Sequence, residues 1–132
     1  MPNKQPVFTK RAPRPGGDYS QAIAVGDFVF TAGMAPIDPA TGGVVGHDVA
    51  TQTHQVMRNL AAVLAEAGVE LADVVKTTVH LQNLKDDFHA FDEAYRAHVT
   101  EPYPARTTVG SDLADILVEI DVVAARPTAG ST

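Results

Sequence analysis

The sequence predicts an α+β fold in which a β-sheet carries two helices on one face. Three patterns predict it. Two β-rich runs flank Gly26-Asp27, two stretches carry apolar residues at helical spacing, and three later runs are rich in β-branched residues. In chain order the elements read β-β-α-β-α-β-β.

Residues 1–17 hold four prolines and two glycines and are expected to form a flexible arm or an irregular edge segment. Tyr19–Val25 and Phe28–Ala32 then read as a hairpin closed by the Gly-X turn. Gly33 ends the second run, where the missing Cβ suits either a bulge or the close approach of a ligand or another backbone. Asp38-Pro39-Ala40-Thr41-Gly42-Gly43 is a turn. Asp48 is placed to cap a long helix that Gly68 closes, with Val49, Val56, Met57, Leu60, Val63, Leu64 and Ala67 on one apolar face. His54 and Arg58 lie on the other side and read as solvated.

Val74–Leu81 reads as a strand, with Lys76, Thr78 and His80 on one side and Val75, Thr77, Val79 and Leu81 on the other. Asn83–Asp87 starts a second helix whose apolar face is Phe88, Phe91, Tyr95 and Val99. A last strand spans roughly Leu117–Ala125, where Glu119 and Asp121 alternate with Val118, Ile120 and Val122. Arg126–Thr132 reads as a disordered tail. Two helices cover only one face of such a sheet. The uncovered face is mixed in polarity, so a second copy of the chain is expected to cover it.

Within Tyr103-Pro104-Ala105-Arg106-Thr107-Thr108-Val109, Arg106 sits between a constrained proline segment and a β-branched run. A guanidinium held there can present two parallel N–H groups to a carboxylate, although a surface charge or structural ion pair fits the same pattern. Glu119, mid-strand between Val118 and Ile120, is either a solvent-facing acid or a partly buried carboxylate able to position water.

At 132 residues the chain is long enough for one domain with a real core. It has no cysteine, which excludes disulfides, thiolate nucleophiles and thiolate metal sites. The five histidines show no metal-ligand spacing, and Ser20 and Ser111 lack an obvious base. The net charge of −6 disfavours nucleic acid. The basic cluster Lys10, Arg11 and Arg14 reads as a solvated arm. No apolar run is long enough to span a membrane, and a cytoplasmic protein is the expectation.

Asp18-Tyr19-Ser20-Gln21-Ala22, Gly26–Gly33, Ile37-Asp38-Pro39, Leu64–Gly68, Asp73–Val79, Tyr103-Pro104-Ala105-Arg106 and Val118-Glu119-Ile120 follow one another in an order and spacing that resembles the RidA/YjgF family. The resemblance covers about residues 18 to 125. It implies a chorismate mutase-like mixed sheet and a homotrimer with clefts between subunits. The implied activity is cofactor-free hydrolysis of reactive enamines and 2-imino acids, such as 2-aminoacrylate, to 2-keto acids and ammonia. By the same resemblance Arg106 binds the substrate carboxylate, Tyr19 lines the cleft, and Gly33 presents backbone to the ligand. Glu119 orders the attacking water, and Thr108 and Phe88 complete the substrate-binding set.

Three positions depart from the family pattern. Asp18 stands before Tyr19 where proline is common, Met34 follows Gly33 where glutamine is usual, and Thr108 replaces a common cysteine. A trimer that binds a keto acid or a protein without turnover is the alternative function, and an endoribonuclease is a third.

Overall fold

The computed structural model describes residues 2–128. Its strands are β1 (Gln5–Val7), β2 (Ala22–Val25), β3 (Phe28–Thr31), β4 (Val74–Leu81), β5 (Ala105–Gly110) and β6 (Val118–Ala125). The helices are α1 (Val49–Glu66) and α2 (Leu84–Arg96). The strands form one sheet in the order β1-β2-β3-β6-β4-β5. Only β4 and β5 run parallel, because α2 carries the chain back across the sheet between them.

The hairpin turns at Gly26, whose φ of 55° suits a residue without a Cβ, and Val25 pairs with Phe28. Asp48 caps α1 by accepting from the Thr51 N–H at 2.8 Å, and these bonds to Thr51 hold its carboxyl below its ordinary pKa. Gly68, with φ of 81°, lets the chain leave that helix. The predicted face of α1 is buried: Val56, Leu60, Val63 and Leu64 are fully enclosed. Phe91 of α2 is also fully enclosed, a burial that contributes about 3 kcal/mol. Both helices and the inward residues of β3, β4 and β6 form one core.

Four sequence expectations change. The segment at 1–17 is an edge segment but a more regular one than expected: Gln5–Val7 pair with Ala22–Ala24 as a strand. Val75 is not on the apolar side of β4. The β4–β6 register steps from Val74↔Ala124 to Lys76↔Val123, so a bulge turns Val75 outward, 46% exposed. His54 is not simply solvated, since its Nδ1 lies 2.8 Å from His98 Nε2, joining α1 to the segment after α2. Burial, then the nearby His54 and Arg58, push the His98 pKa below its ordinary value. Arg126, assigned to the tail, donates from its backbone to Asp27 and from Nη1 to the Ala67 carbonyl. The rest of the expected tail from 129 onward lies outside the described residues.

The face away from the helices is uncovered in the single chain. It exposes Phe28, Phe30 and Val75, interspersed with Lys76, His80 and Asp121. Burial raises the Asp121 pKa, with His80 and Lys76 opposing that shift. No described helix is long and apolar enough to cross a membrane.

Candidate functional site

Arg106 lies on the helix-covered side of β5, opposite Thr77 of β4. The turns of α2 place Phe88, Asp92 and Tyr95 above it. Its Nη1 donates to Asp92 Oδ1 at 2.6 Å. The guanidinium carbon lies 5.7 Å from the Phe88 ring centre, 5.6 Å from that of Phe91 and 5.1 Å from that of Tyr95. Tyr95 is itself fixed, its hydroxyl 3.0 Å from Thr77 Oγ1.

The Arg106 side chain is 24% exposed and borders a cleft of about 380 Å³ with Asp92, Tyr95, Tyr103 and Pro104. The ion-pair reading and the anion-binding reading are therefore compatible. Asp92 engages one nitrogen and orients the fork, and the remaining N–H groups are available to an incoming carboxylate. Thr108 follows on the same side of β5, partly buried opposite Val79.

Glu119 belongs to the other face. It lies between the enclosed Val118 and Ile120, so its side chain is directed away from the helices. The carboxylate packs over Gly33: a Cβ built there would lie 2.9 Å from Glu119 Cδ, and nearer still to Oε1. The close approach allowed at Gly33 is thus made by an acid side chain. Two backbone bonds between Met34 and Ile120 hold this segment beside β6. Asn59 of α1, 1% exposed, fixes the next stretch by donating to the Ala35 carbonyl at 3.1 Å and the Ile37 carbonyl at 2.9 Å.

Tyr19 is 54% exposed and shares a cleft of about 150 Å³ with Gly33 and Met34. Its hydroxyl accepts from the Gly16 N–H at 3.0 Å, which leaves the phenol proton free to donate. The chain thus forms two groupings: Arg106, Thr108 and Phe88 on the helix-covered side of the sheet, and Glu119 over Gly33 on the other, with Tyr19 at the Gly33 cleft. A single chain does not bring them together.

Sequence reasoning missed Asp92, although its spacing from Phe88 and Tyr95 on α2 places all three on one face. It also found no base for Ser111, because the partner is remote in sequence: His80 Nδ1 lies 2.7 Å from Ser111 Oγ. No cluster of three or more metal-ligating side chains occurs among the described residues.

Known proteins resemble this chain in sequence and in fold. A family profile described as endoribonuclease L-PSP matches residues 9–126. A RutC family protein of Pyrococcus abyssi is 46% identical over 123 residues, covering 92% of this chain and 96% of its own length. The 2-iminobutanoate/2-iminopropanoate deaminase of Salmonella typhimurium is 37% identical over 127 residues, covering 91% and 96%. The crystal structure of RidA from the Antarctic bacterium Psychrobacter sp. superposes with a TM-score of 0.87 at 36% identity, covering 92% of this chain and 98% of that one.

Proposed function

We propose an activity from one premise: this chain belongs to the endoribonuclease L-PSP family, which is the RidA/YjgF family. It hydrolyses 2-imino acids and their enamine tautomers to 2-keto acids and ammonia, working as a homotrimer with its sites between subunits. The observation that carries this reading is Arg106, a guanidinium fixed by Asp92 among aromatic rings yet open to a cleft. The name of the Salmonella relative supports the choice of reaction.

Arg106 holds the planar carboxylate and so fixes the imine carbon. Glu119 of a neighbouring subunit, packed over Gly33 of its own chain, accepts a hydrogen bond from water and directs it onto that carbon. As the C–O bond forms, the water proton passes through the carboxylate to the nitrogen. The resulting carbinolamine loses ammonia and leaves the keto acid. Tyr19, with its phenol proton free, donates to the substrate at the cleft wall. The apolar and aromatic residues of the open sheet face are covered by the neighbouring subunits, which also bring the two groupings into one cleft.

The test generates 2-aminoacrylate in situ from serine with a pyridoxal-phosphate dehydratase and follows pyruvate formation. Wild-type protein is expected to accelerate pyruvate release, and Arg106→Ala to lower kcat/KM about 1,000-fold with the oligomer intact. Equal rates with and without wild-type protein would refute the activity. Acceleration that survives Arg106→Ala would refute the site.

A further inference from the structure

The N-terminal arm reaches the Gly33 cleft, and a buried glutamine holds it there. Gln21 is 2% exposed. Its Oε1 accepts from the Thr9 N–H at 2.7 Å, and its Nε2 donates to the carbonyls of Thr9 at 3.0 Å, Pro13 at 2.9 Å and Ala12 at 3.4 Å. A buried amide satisfied at both ends fixes the backbone that it binds. The residue that follows this clamped stretch is Arg14.

Arg14 lines the 150 Å³ cleft together with Tyr19, Gly33 and Met34. With Lys10 it also lines an adjoining cleft of about 430 Å³, and the two clefts share Pro13, Arg14 and Ile37. Among the described residues neither cation makes an ion pair. Arg14 and Lys10 thus bring positive charge to a cleft whose Gly33 wall carries the Glu119 carboxylate. Met34, Ala35, Ile37 and Pro13 supply apolar wall beside Gln21 and Tyr19. An apolar wall with a free cation at its edge suits a short carbon chain that ends in an anion.

We propose that Arg14 reads a second carboxylate on the substrate, so that the preferred substrates are dicarboxylic 2-imino acids. Their α-carboxylate lies on Arg106 and their distal carboxylate on Arg14, with Lys10 adding to the positive field. This rests on the imine-deaminase reading. It goes further by naming what the side chain of the substrate must carry.

The experiment compares 2-iminoglutarate, made by glutamate oxidase, with 2-iminobutanoate, made by an amino-acid oxidase from 2-aminobutyrate. Semicarbazide trapping reports the imine that escapes hydrolysis. Wild type is expected to show the larger kcat/KM for 2-iminoglutarate. The ratio between the two substrates should fall about ten-fold in Arg14→Ala, fall further in Arg14→Glu, and be retained in Arg14→Lys. A wild-type preference for 2-iminobutanoate, or a ratio unmoved by Arg14→Ala and Arg14→Glu, would overturn the proposal while leaving the deaminase reading intact. If wild type accelerates neither imine, the deaminase reading fails. Calorimetric titration with 2-oxoglutarate and 2-oxobutanoate then decides the Arg14 subsite separately. Tighter binding of the dicarboxylate, weakened about ten-fold by Arg14→Ala, supports it, and equal affinities refute it.

Discussion

Around Arg106 the chain places an ion pair and three aromatic rings, whereas around Gly33 it removes a side chain altogether. The first grouping is organised by addition. Asp92 takes one nitrogen of the fork, and the ring centres of Phe88, Phe91 and Tyr95 lie within 5.7 Å of the guanidinium carbon. The second is organised by subtraction, because the Glu119 carboxylate occupies the space that a Cβ at residue 33 would need. Different helices support them. Asp92 belongs to α2, while Asn59, which fixes the loop after Gly33, belongs to α1. The contrast shows how one small sheet can present two unlike groupings on opposite faces, which the proposed trimer would join in one cleft.

Mixing chains gives the largest effect that separates the halves. Arg106→Ala and Glu119→Gln proteins should each be nearly inactive. After denaturation together and refolding in equal amounts, about a quarter of wild-type activity should return, since a cleft that draws one residue from each of two chains is intact in that share of random assemblies. Activity that stays at the level of the parents would break the picture of shared clefts.

Gly33→Ala should give the next largest effect. The Glu119 carboxylate is the mobile end of its side chain, so it can swing aside at small cost to folding. Imine hydrolysis is expected to fall about 30-fold with little change in melting temperature. Full activity in Gly33→Ala alongside an inactive Glu119→Gln would mean that the carboxylate is not held in place by the missing Cβ.

The smallest effect concerns the link between the two supporting helices. The His98 pKa is depressed in the folded chain, so the unfolded chain takes up a proton first as pH falls. The contribution is therefore complete above the ordinary histidine range and is lost as pH drops through that range toward the folded value. Between pH 7.5 and 5.5, wild type should lose about 1–2 °C more in melting temperature than His98→Asn. Parallel slopes for the two proteins would show that the His54–His98 contact carries no such linkage.

Much of the fold was legible because its signals are local. Asp48 and Gly68 bracket α1, Gly26-Asp27 turns the hairpin, and β4 runs over the residues that its β-branched content marks. β1 was legible only as an irregular edge segment, because its three residues gain strand character by pairing with β2. Val75 was misplaced for a similar reason, since strict alternation assumes a register that a bulge in the β4–β6 ladder interrupts.

For the site, the sequence by itself determined which residue types were on offer. It supplied an arginine after Pro104-Ala105, an acid within a β-branched run, a glycine after a hairpin and no cysteine. Tertiary structure alone decided their relations: Asp92 on Arg106, Glu119 over Gly33, and Gln21 drawing Arg14 to the cleft. It also decided that Arg106 and Glu119 face opposite ways. Periodicity and turn chemistry act over a few neighbouring residues, so a sequence displays them directly. Which side of a sheet a strand turns toward the helices, and which distant side chain meets it there, follows from burying one shared core.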